Sequence, residues 1–294
     1  MLKEINKIIE NDVIEDDLEY FSVIIGENPS TGARSPTLWN KVYDAEKKRA
    51  KMIPLDVSKE RLKDLFHCLQ DHPRCVGGAI AVPYKEDMFN FVKDSLSKEI
   101  RNIGAINCFY RQNENGLFTG TNTDGEGSLE AIKPFLSKTG NKKIALVGYG
   151  GAGKAVLAFL LRSFGDKHSI YVYNRSPISE EIKKKIPVDF FKISMLEKSL
   201  ADFDLIINAT TLGSKNSLNE TPIDKKVLVN VRKKAIIYDI IYDPPMTTLL
   251  KCAHQLGLNT INGIGMNLVQ AVLAFQYANE TNFSQNKIFE IMSS

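Results

Sequence analysis

Midway through the chain an apolar segment, Lys143-Ile144-Ala145-Leu146-Val147, runs into Gly148-Tyr149-Gly150-Gly151-Ala152-Gly153. The spacing is G-x-G-x-x-G, set between a strand-like segment and a helix-like one. Alone, the pattern fits any tight turn. In this context the glycines let the backbone approach a pyrophosphate, and the helix start offers N–H groups and a partial positive charge. The expected ligand is a dinucleotide. The next strand-like segment ends in Asn174-Arg175-Ser176, where a site for a ribose 2′-hydroxyl places Asp or Glu. A carboxylate repels a 2′-phosphate, whereas a guanidinium can bind one through two aligned hydrogen bonds. Taken alone, Arg175 is a solvated loop residue. Taken with the glycines, it favours NADP over NAD.

Three earlier segments hold polar residues in apolar surroundings: Pro83-Tyr84-Lys85, Gly104-Ala105-Ile106-Asn107 and Asn122-Thr123-Asp124-Gly125. Asn or Asp inside strand-like sequence is locally unfavourable and calls for a reason. Each has a bland one: Lys85 on a surface loop, Asn107 at a bulge, Asp124 as a helix cap. Together they point to a polar site.

The elements that must position these residues alternate in type. In the first half, strands are expected at 21–26, 51–57 and 78–82. Helices are expected from Ser35-Pro36, with Ser35 as N-cap, from Ser58 to about 69, and near 87–92. Segments 105–111 and 117–121 flank Asn115-Gly116, a strong hairpin signal. In the second half, strands at 143–148, 169–174, 204–208, 235–240 and 259–262 alternate with helices at about 152–164 and 248–256. A last long helix spans about 267–279. This is α/β alternation with a doubly wound parallel sheet in the second half. The domain boundary is expected near 124–129, with a second crossing near Gly265.

Composition narrows the function classes. The 294 residues carry 38 Lys and Arg against 35 Asp and Glu, a net charge of +3, with 43% apolar residues. That is the profile of a globular chain with an ordinary core, and it gives no case for a nucleic-acid or membrane partner. The longest apolar run near the glycines, 155–161, is far short of the ~20 residues a membrane span needs. The N-terminal segment mixes both charges and lacks an apolar signal-peptide core. Cys68, Cys75, Cys108 and Cys252 have no C-x-x-C spacing, and His67, His72, His168 and His254 show no metal-ligand spacing. Free thiols in a reducing cytoplasm and no metal are the expectation.

The ordered motifs resemble the shikimate dehydrogenase family over nearly the whole length. They are Asn28-Pro29 with Ser35-Pro36, Val82-Pro83-Tyr84-Lys85, Ile103 to Asn107, Asn122 to Gly125, the glycine turn through Lys154-Ala155, Asn174-Arg175, Asn208 to Gly213, Tyr238-Asp239 with Tyr242, and Asn262 to Met266 with Gln270-Ala271. The resemblance implies an N-terminal α/β substrate domain, residues 1–125 with a C-terminal helix 266–294 packing back. A Rossmann NADP-binding domain at 126–265 follows, with the active site in the cleft between them. It implies reversible hydride transfer between NADPH and 3-dehydroshikimate, a small hydroxylated cyclic acid, in a cytoplasmic monomer or homodimer. Lys85 and Asp124 match the catalytic pair. Asn107 and Gln270 match positions that hydrogen-bond substrate hydroxyls, and Ser35 and Tyr242 lie near the substrate carboxylate. Gly148, Gly150, Gly151, Ala152, Gly153, Asn174, Arg175, Ser176, Asn208 and Thr210 match cofactor positions, with Gly265 and Met266 near the nicotinamide. Gln270 on an ordinary helix surface and Met266 in a core are the alternatives.

The chain departs from the family at one end of the expected pocket. The usual Ser-x-Ser-Pro reads Ala33-Arg34-Ser35-Pro36, and the usual Asn-x-Thr-x-Pro-x-Lys reads Ala79-Ile80-Ala81-Val82-Pro83-Tyr84-Lys85. Three polar side chains are absent there. Each hydrogen bond to a charged group is worth roughly 1.5–3 kcal/mol. Quinate, an aminoshikimate or another substrate is therefore an alternative, as is a regulator that binds cofactor without turnover. Retention of Lys85 and Asp124 argues for an enzyme.

Overall fold

The computed structural model describes residues 2–13, 17–112, 116–138 and 140–294. The chain divides into two compact units, Met1–Thr123 with Leu268–Ser294, and Asp124–Asn267.

The first unit is built on a five-stranded sheet in the order β2-β1-β3-β4-β5. Strands β1 (Tyr20–Gly26), β2 (Ala50–Asp56) and β3 (Cys75–Ile80) are parallel, and β4 (Cys108–Arg111) and β5 (Phe118–Thr121) extend the sheet antiparallel. Helix α1 covers Leu2–Asn6, α2 Ser35–Ala45, α3 Leu62–Asp71, α4 Lys85–Val92 and α5 Lys98–Ile103. The parallel strands need crossovers, and α2 and α3 supply them. Between β4 and β5, Gly116 has φ 67°, the left-handed conformation a tight hairpin turn uses. Asn115 of that turn lies outside the described residues.

One core of this unit joins Ile24, Trp39, Tyr43, Met52, Ala79 and Cys108 to Val272, Phe275, Ile288 and Met292 of the C-terminal segment. The Tyr43 hydroxyl lies 2.9 Å from Ser22 Oγ and 2.8 Å from Asn279 Oδ1, which satisfies it in a fully buried place. The expected cap at Ser35 is corrected. The residue before α2 is Arg34, no side chain caps the helix, and Ser35 is its first residue with Pro36 next. Ser58 precedes a single 3-10 turn, Lys59–Arg61, and α3 begins only at Leu62.

The second unit has a six-stranded sheet in the order β11-β10-β9-β6-β7-β8, and every pairing in it is parallel. The strands are β6 (Lys143–Val147), β7 (Ser169–Asn174), β8 (Asp189–Lys192), β9 (Leu205–Asn208), β10 (Ile236–Asp239) and β11 (Asn259–Ile261). Around it stand α6 (Asp124–Leu136), α7 (Gly151–Phe164), α8 (Glu180–Lys185), α9 (Lys225–Leu228) and α10 (Thr248–Gln255). Separate cores flank the sheet. One is centred on Val156, Leu160 and Ile207, the other on Ala145, Ile206, Leu249 and Leu250. Burial on both faces explains why the central strands read as unbroken apolar runs. Helix α11 (Ile264–Ala278) carries the chain into the first unit, where α12 (Gln285–Ser293) ends it.

Candidate functional site

Strand order in the second unit reverses between β6 and β9. From β6 the chain proceeds outward through β7 and β8, and from β9 through β10 and β11. Open parallel sheets bind ligands in the crevice beyond the strand ends at such a reversal. The glycine turn sits there. Gly148 has φ 99°, and a Cβ on it would come 2.8 Å from Thr210 Cγ2. A Cβ on Gly153 would lie 2.2 Å from the Gly148 carbonyl oxygen, so only glycine lets α7 pack this close to its own turn. A Cβ on Gly150 would meet nothing within 4 Å. Gly150 is the residue before α7, where no side chain caps the helix and the first N–H groups have no partner within it. The turn therefore fits a pyrophosphate.

Two bonds donated by backbone N–H groups hold it. Gly148 N–H donates to Tyr173 O at 2.8 Å, and Tyr149 N–H donates to Asn174 Oδ1 at 3.0 Å. Asn174 in turn donates to Ser176 O at 3.0 Å and fixes the corner that carries the exposed Arg175. On the other side of the crevice, Ala209 N–H donates to Val147 O at 2.8 Å. Asn208 turns its side chain inward: Oδ1 accepts from Thr210 N–H at 2.9 Å and Oγ1 at 2.7 Å, and Nδ2 donates to Asp239 Oδ1 at 3.1 Å. Asn208 thus shapes the loop that carries Thr210. Asp239 also accepts from Thr247 Oγ1 at 2.7 Å and Ile241 N–H at 3.1 Å, yet burial raises its carboxyl above the ordinary range. Sequence reasoning gave Asp239 no role of its own. Its signal was a carboxylate closing the apolar run Ile236–Asp239.

Near the unit's ends, Asp124 is buried in the first turn of α6, where a carboxylate suits the positive end of a helix. The Met266 sulfur accepts from Ser128 Oγ at 3.0 Å, and Ser128 Oγ lies 3.4 Å from the Tyr238 hydroxyl. Gly265 is exposed, and Tyr242 is half-buried.

The first unit gathers the amide residues. Asn107 precedes β4 and is buried. Its Nδ2 donates to Gln270 Oε1 at 3.2 Å and to Thr123 Oγ1 at 2.9 Å, and its Oδ1 accepts from Thr123 N–H at 2.8 Å. Thr123 Oγ1 is also 3.0 Å from Gln270 O, and Asn122 donates to Ala105 O at 3.0 Å. Gln270 is thus buried on α11, which overturns the reading of an ordinary helix surface. Asn122 and Thr123 were visible only as neighbours of Asp124, and the structure makes Thr123 the link between Asn107 and Gln270.

Lys85 opens α4 and is half-buried; it does not lie on a surface loop. Its carbonyl accepts from Ile106 N–H at 3.0 Å, and the adjacent Tyr84 hydroxyl donates to Val57 O at 2.7 Å. The backbone at the lysine is therefore fixed to both neighbouring segments. Ser35 is buried at the start of α2. Ala79 belongs to the apolar core of this unit, and Ala33 and Ala81 pack against it. Methyl groups stand where the resemblance leads one to expect two hydroxyls and an amide. Among the described residues no group of three or more His, Cys, Asp or Glu could hold a metal ion, and no helix is long and apolar enough to cross a membrane.

Known proteins fit this arrangement. Residues 24–109 match the shikimate dehydrogenase substrate binding domain. The NADP(+) shikimate dehydrogenase of Streptococcus pneumoniae is 30% identical over 259 residues, which cover 85% of this chain and 88% of that one. The chain belongs to the shikimate dehydrogenase family. The NADP(+) shikimate dehydrogenase of Methanococcus vannielii is 29% identical over 281 residues, covering 91% of this chain and 95% of its own. A solved shikimate 5-dehydrogenase of Listeria monocytogenes, in complex with shikimate and NAD, superposes with a TM-score of 0.72 at 26% identity over 96% of this chain and 99% of its own. The similarity of the family therefore runs through both units, the glycine turn included.

Proposed function

We propose that this protein is an NADP-dependent shikimate dehydrogenase that interconverts 3-dehydroshikimate and shikimate. The observation that carries the reading is the glycine turn at the strand-order reversal of an all-parallel sheet, in a chain of this family. The curated relatives from Streptococcus pneumoniae and Methanococcus vannielii are named for NADP(+), and the Arg175 corner supports the same coenzyme here.

When bound, the dinucleotide donates or accepts a hydride at C4 of its nicotinamide. The glycine turn and the start of α7 hold its pyrophosphate, with Thr210 across the crevice. Arg175 and Ser176 bind the 2′-phosphate, and Asn174 orients them. Gly265 and Met266 border the nicotinamide, where Ser128 fixes the Met266 sulfur. Lys85 Nζ gives a proton to the carbonyl oxygen as the ketone becomes an alcohol, and takes one from the hydroxyl in the reverse direction. Asp124 is the carboxylate of the catalytic pair. Asn107 and Gln270 bind substrate hydroxyls, and their buried amides reject analogues that leave them unpaired. Ser35 and Tyr242 serve the substrate carboxylate.

We assign the protein to the cytoplasm, as a monomer or homodimer; its four free cysteines suit a reducing compartment. The test is the fate of the hydride. With 3-dehydroshikimate and NADPH deuterated at C4 on the transferred face, the product should be shikimate carrying one deuterium on the former carbonyl carbon. Shikimate without deuterium, or no shikimate, would refute the reading.

A further inference from the structure

Lys154 is the fourth residue of α7 and had no part in the sequence reading beyond its place in a motif. Long side chains on a helix lean back toward its N-terminus. Lys154 does so: its ammonium stands 5.8 Å from the centre of the Tyr149 ring, over the glycine turn. That ring is held edge-on against Phe190 of β8, with centres 5.2 Å apart. The backbone N–H of the same tyrosine donates to Asn174, whose side chain bridges to Ser176 across Arg175. Tyr149 therefore ties the lysine to the corner that bears the arginine. In β8, Lys192 stands in register opposite Asn174. Of the carboxylates nearest along the chain, Glu180 and Glu181 are each paired within their own helix, with Lys183 at 2.7 Å and Lys185 at 2.6 Å, and Asp189 stands at the other end of β8, in register with Tyr171. The corner is a site of positive charge.

We propose that Lys154 is a second cation of the 2′-phosphate subsite, acting with Arg175, so that selectivity for the phosphorylated coenzyme depends on both residues. This rests on the assignment of the glycine turn and the Arg175 corner to NADP. A cation over the half-buried Tyr149 ring is held more weakly than one in a charge-assisted hydrogen bond to phosphate. The ring parks the ammonium beside the corner, and a 2′-phosphate draws it off. Lysine suits this role because its flexible stem and three donors adapt to a phosphate already gripped by a planar guanidinium.

The experiment is calorimetric titration of 2′,5′-ADP and 5′-AMP into the wild-type protein, Lys154→Met, Lys154→Arg and Arg175→Met, with thermal melting to confirm folding. Methionine keeps most of the apolar stem over Tyr149. Wild type should prefer 2′,5′-ADP. Lys154→Met should lose about tenfold in 2′,5′-ADP affinity and leave 5′-AMP unchanged, and Lys154→Arg should restore most of the loss. Two results overturn the inference alone, with wild type preferring 2′,5′-ADP and Arg175→Met losing that preference: Lys154→Met leaves the preference intact, or it weakens both ligands equally, which would assign the lysine to the 5′-phosphate. No preference in wild type would overturn the NADP assignment and this inference with it.

Discussion

Asn107 and Gln270, 163 residues apart in sequence, meet at 3.2 Å between Nδ2 and Oε1, and Thr123 binds both. Both side chains are buried. Removing one amide leaves buried partners unsatisfied, a loss of about 1–3 kcal/mol. Asn107→Ala should therefore lower stability by that amount in urea unfolding, and should raise KM for shikimate as well. Unchanged stability would mean that the cluster does not hold these elements together.

The glycines of the turn should separate folding from binding. At Gly153 an added methyl meets the Gly148 carbonyl at 2.2 Å, whereas at Gly150 it meets nothing within 4 Å. Gly153→Ala should cost about 1–3 kcal/mol of stability or more by overpacking. Gly150→Ala should melt close to wild type and lose at least about tenfold in NADP affinity, because the methyl occupies the space a pyrophosphate needs. Normal NADP binding by a folded Gly150→Ala protein would remove the pyrophosphate from that position.

The alanines of the first unit give a gain-of-function test. Ala33 and Ala81 are half-buried and pack on the core that contains Ala79. Ala33→Ser and Ala81→Thr supply hydroxyls where the resemblance to the family leads one to expect them. Together they should lower KM for shikimate by about a hundredfold or more, with kcat changed little, since each charge-assisted hydrogen bond contributes about 1.5–3 kcal/mol. If KM does not move, those positions do not face substrate in this protein.

His72 sets a pH dependence of stability. Burial, followed by the charges of Arg74 and Arg111, holds its imidazole below the ordinary value of 6.5. The ring lies edge-on to Phe21 at 4.8 Å, and Nδ1 accepts from Arg74 N–H at 3.3 Å. As pH falls through 6.5, the unfolded chain binds a proton there and the folded chain does not. This contribution is therefore complete above that pH and is lost as pH falls toward the depressed native value. His72→Asn keeps an acceptor for Arg74 and removes the titration. Its urea midpoint should drop less than that of wild type between about pH 8 and about pH 5. An identical drop would assign the effect to other groups.

The sequence made some of these features legible and hid others for physical reasons. Strands such as Lys143–Val147 and Leu205–Asn208 are buried on both faces, so their apolar runs announced a parallel sheet. Strand β8 was missed because Asp189 and Lys192 bound two half-buried phenylalanines at a sheet edge, where composition is weakly constrained. The helix expected over 266–294 is instead two helices, α11 and α12, because α11 ends at Ala278 and Ser284 caps a new helix whose apolar face, Ile288 and Met292, is narrow. Ser35 looked like a cap because Ser-Pro often begins a helix, but Arg34 already has helical angles. The residue types of the candidate site could be read from motifs. The meeting of Asn107 with Gln270 could not, because it depends on packing that brings residues far apart in sequence together, and that of Lys154 with the Tyr149 ring could not, because it depends on where the glycine turn places the ring.

The most direct measurement of the central claim is NADP⁺ reduction by the purified protein, followed by NADPH absorbance, with shikimate and quinate in parallel and Lys85→Ala as the control. Turnover of shikimate should exceed that of quinate and should fall by orders of magnitude in Lys85→Ala. Turnover that survives Lys85→Ala, or cofactor binding with no oxidation of shikimate, would contradict the claim.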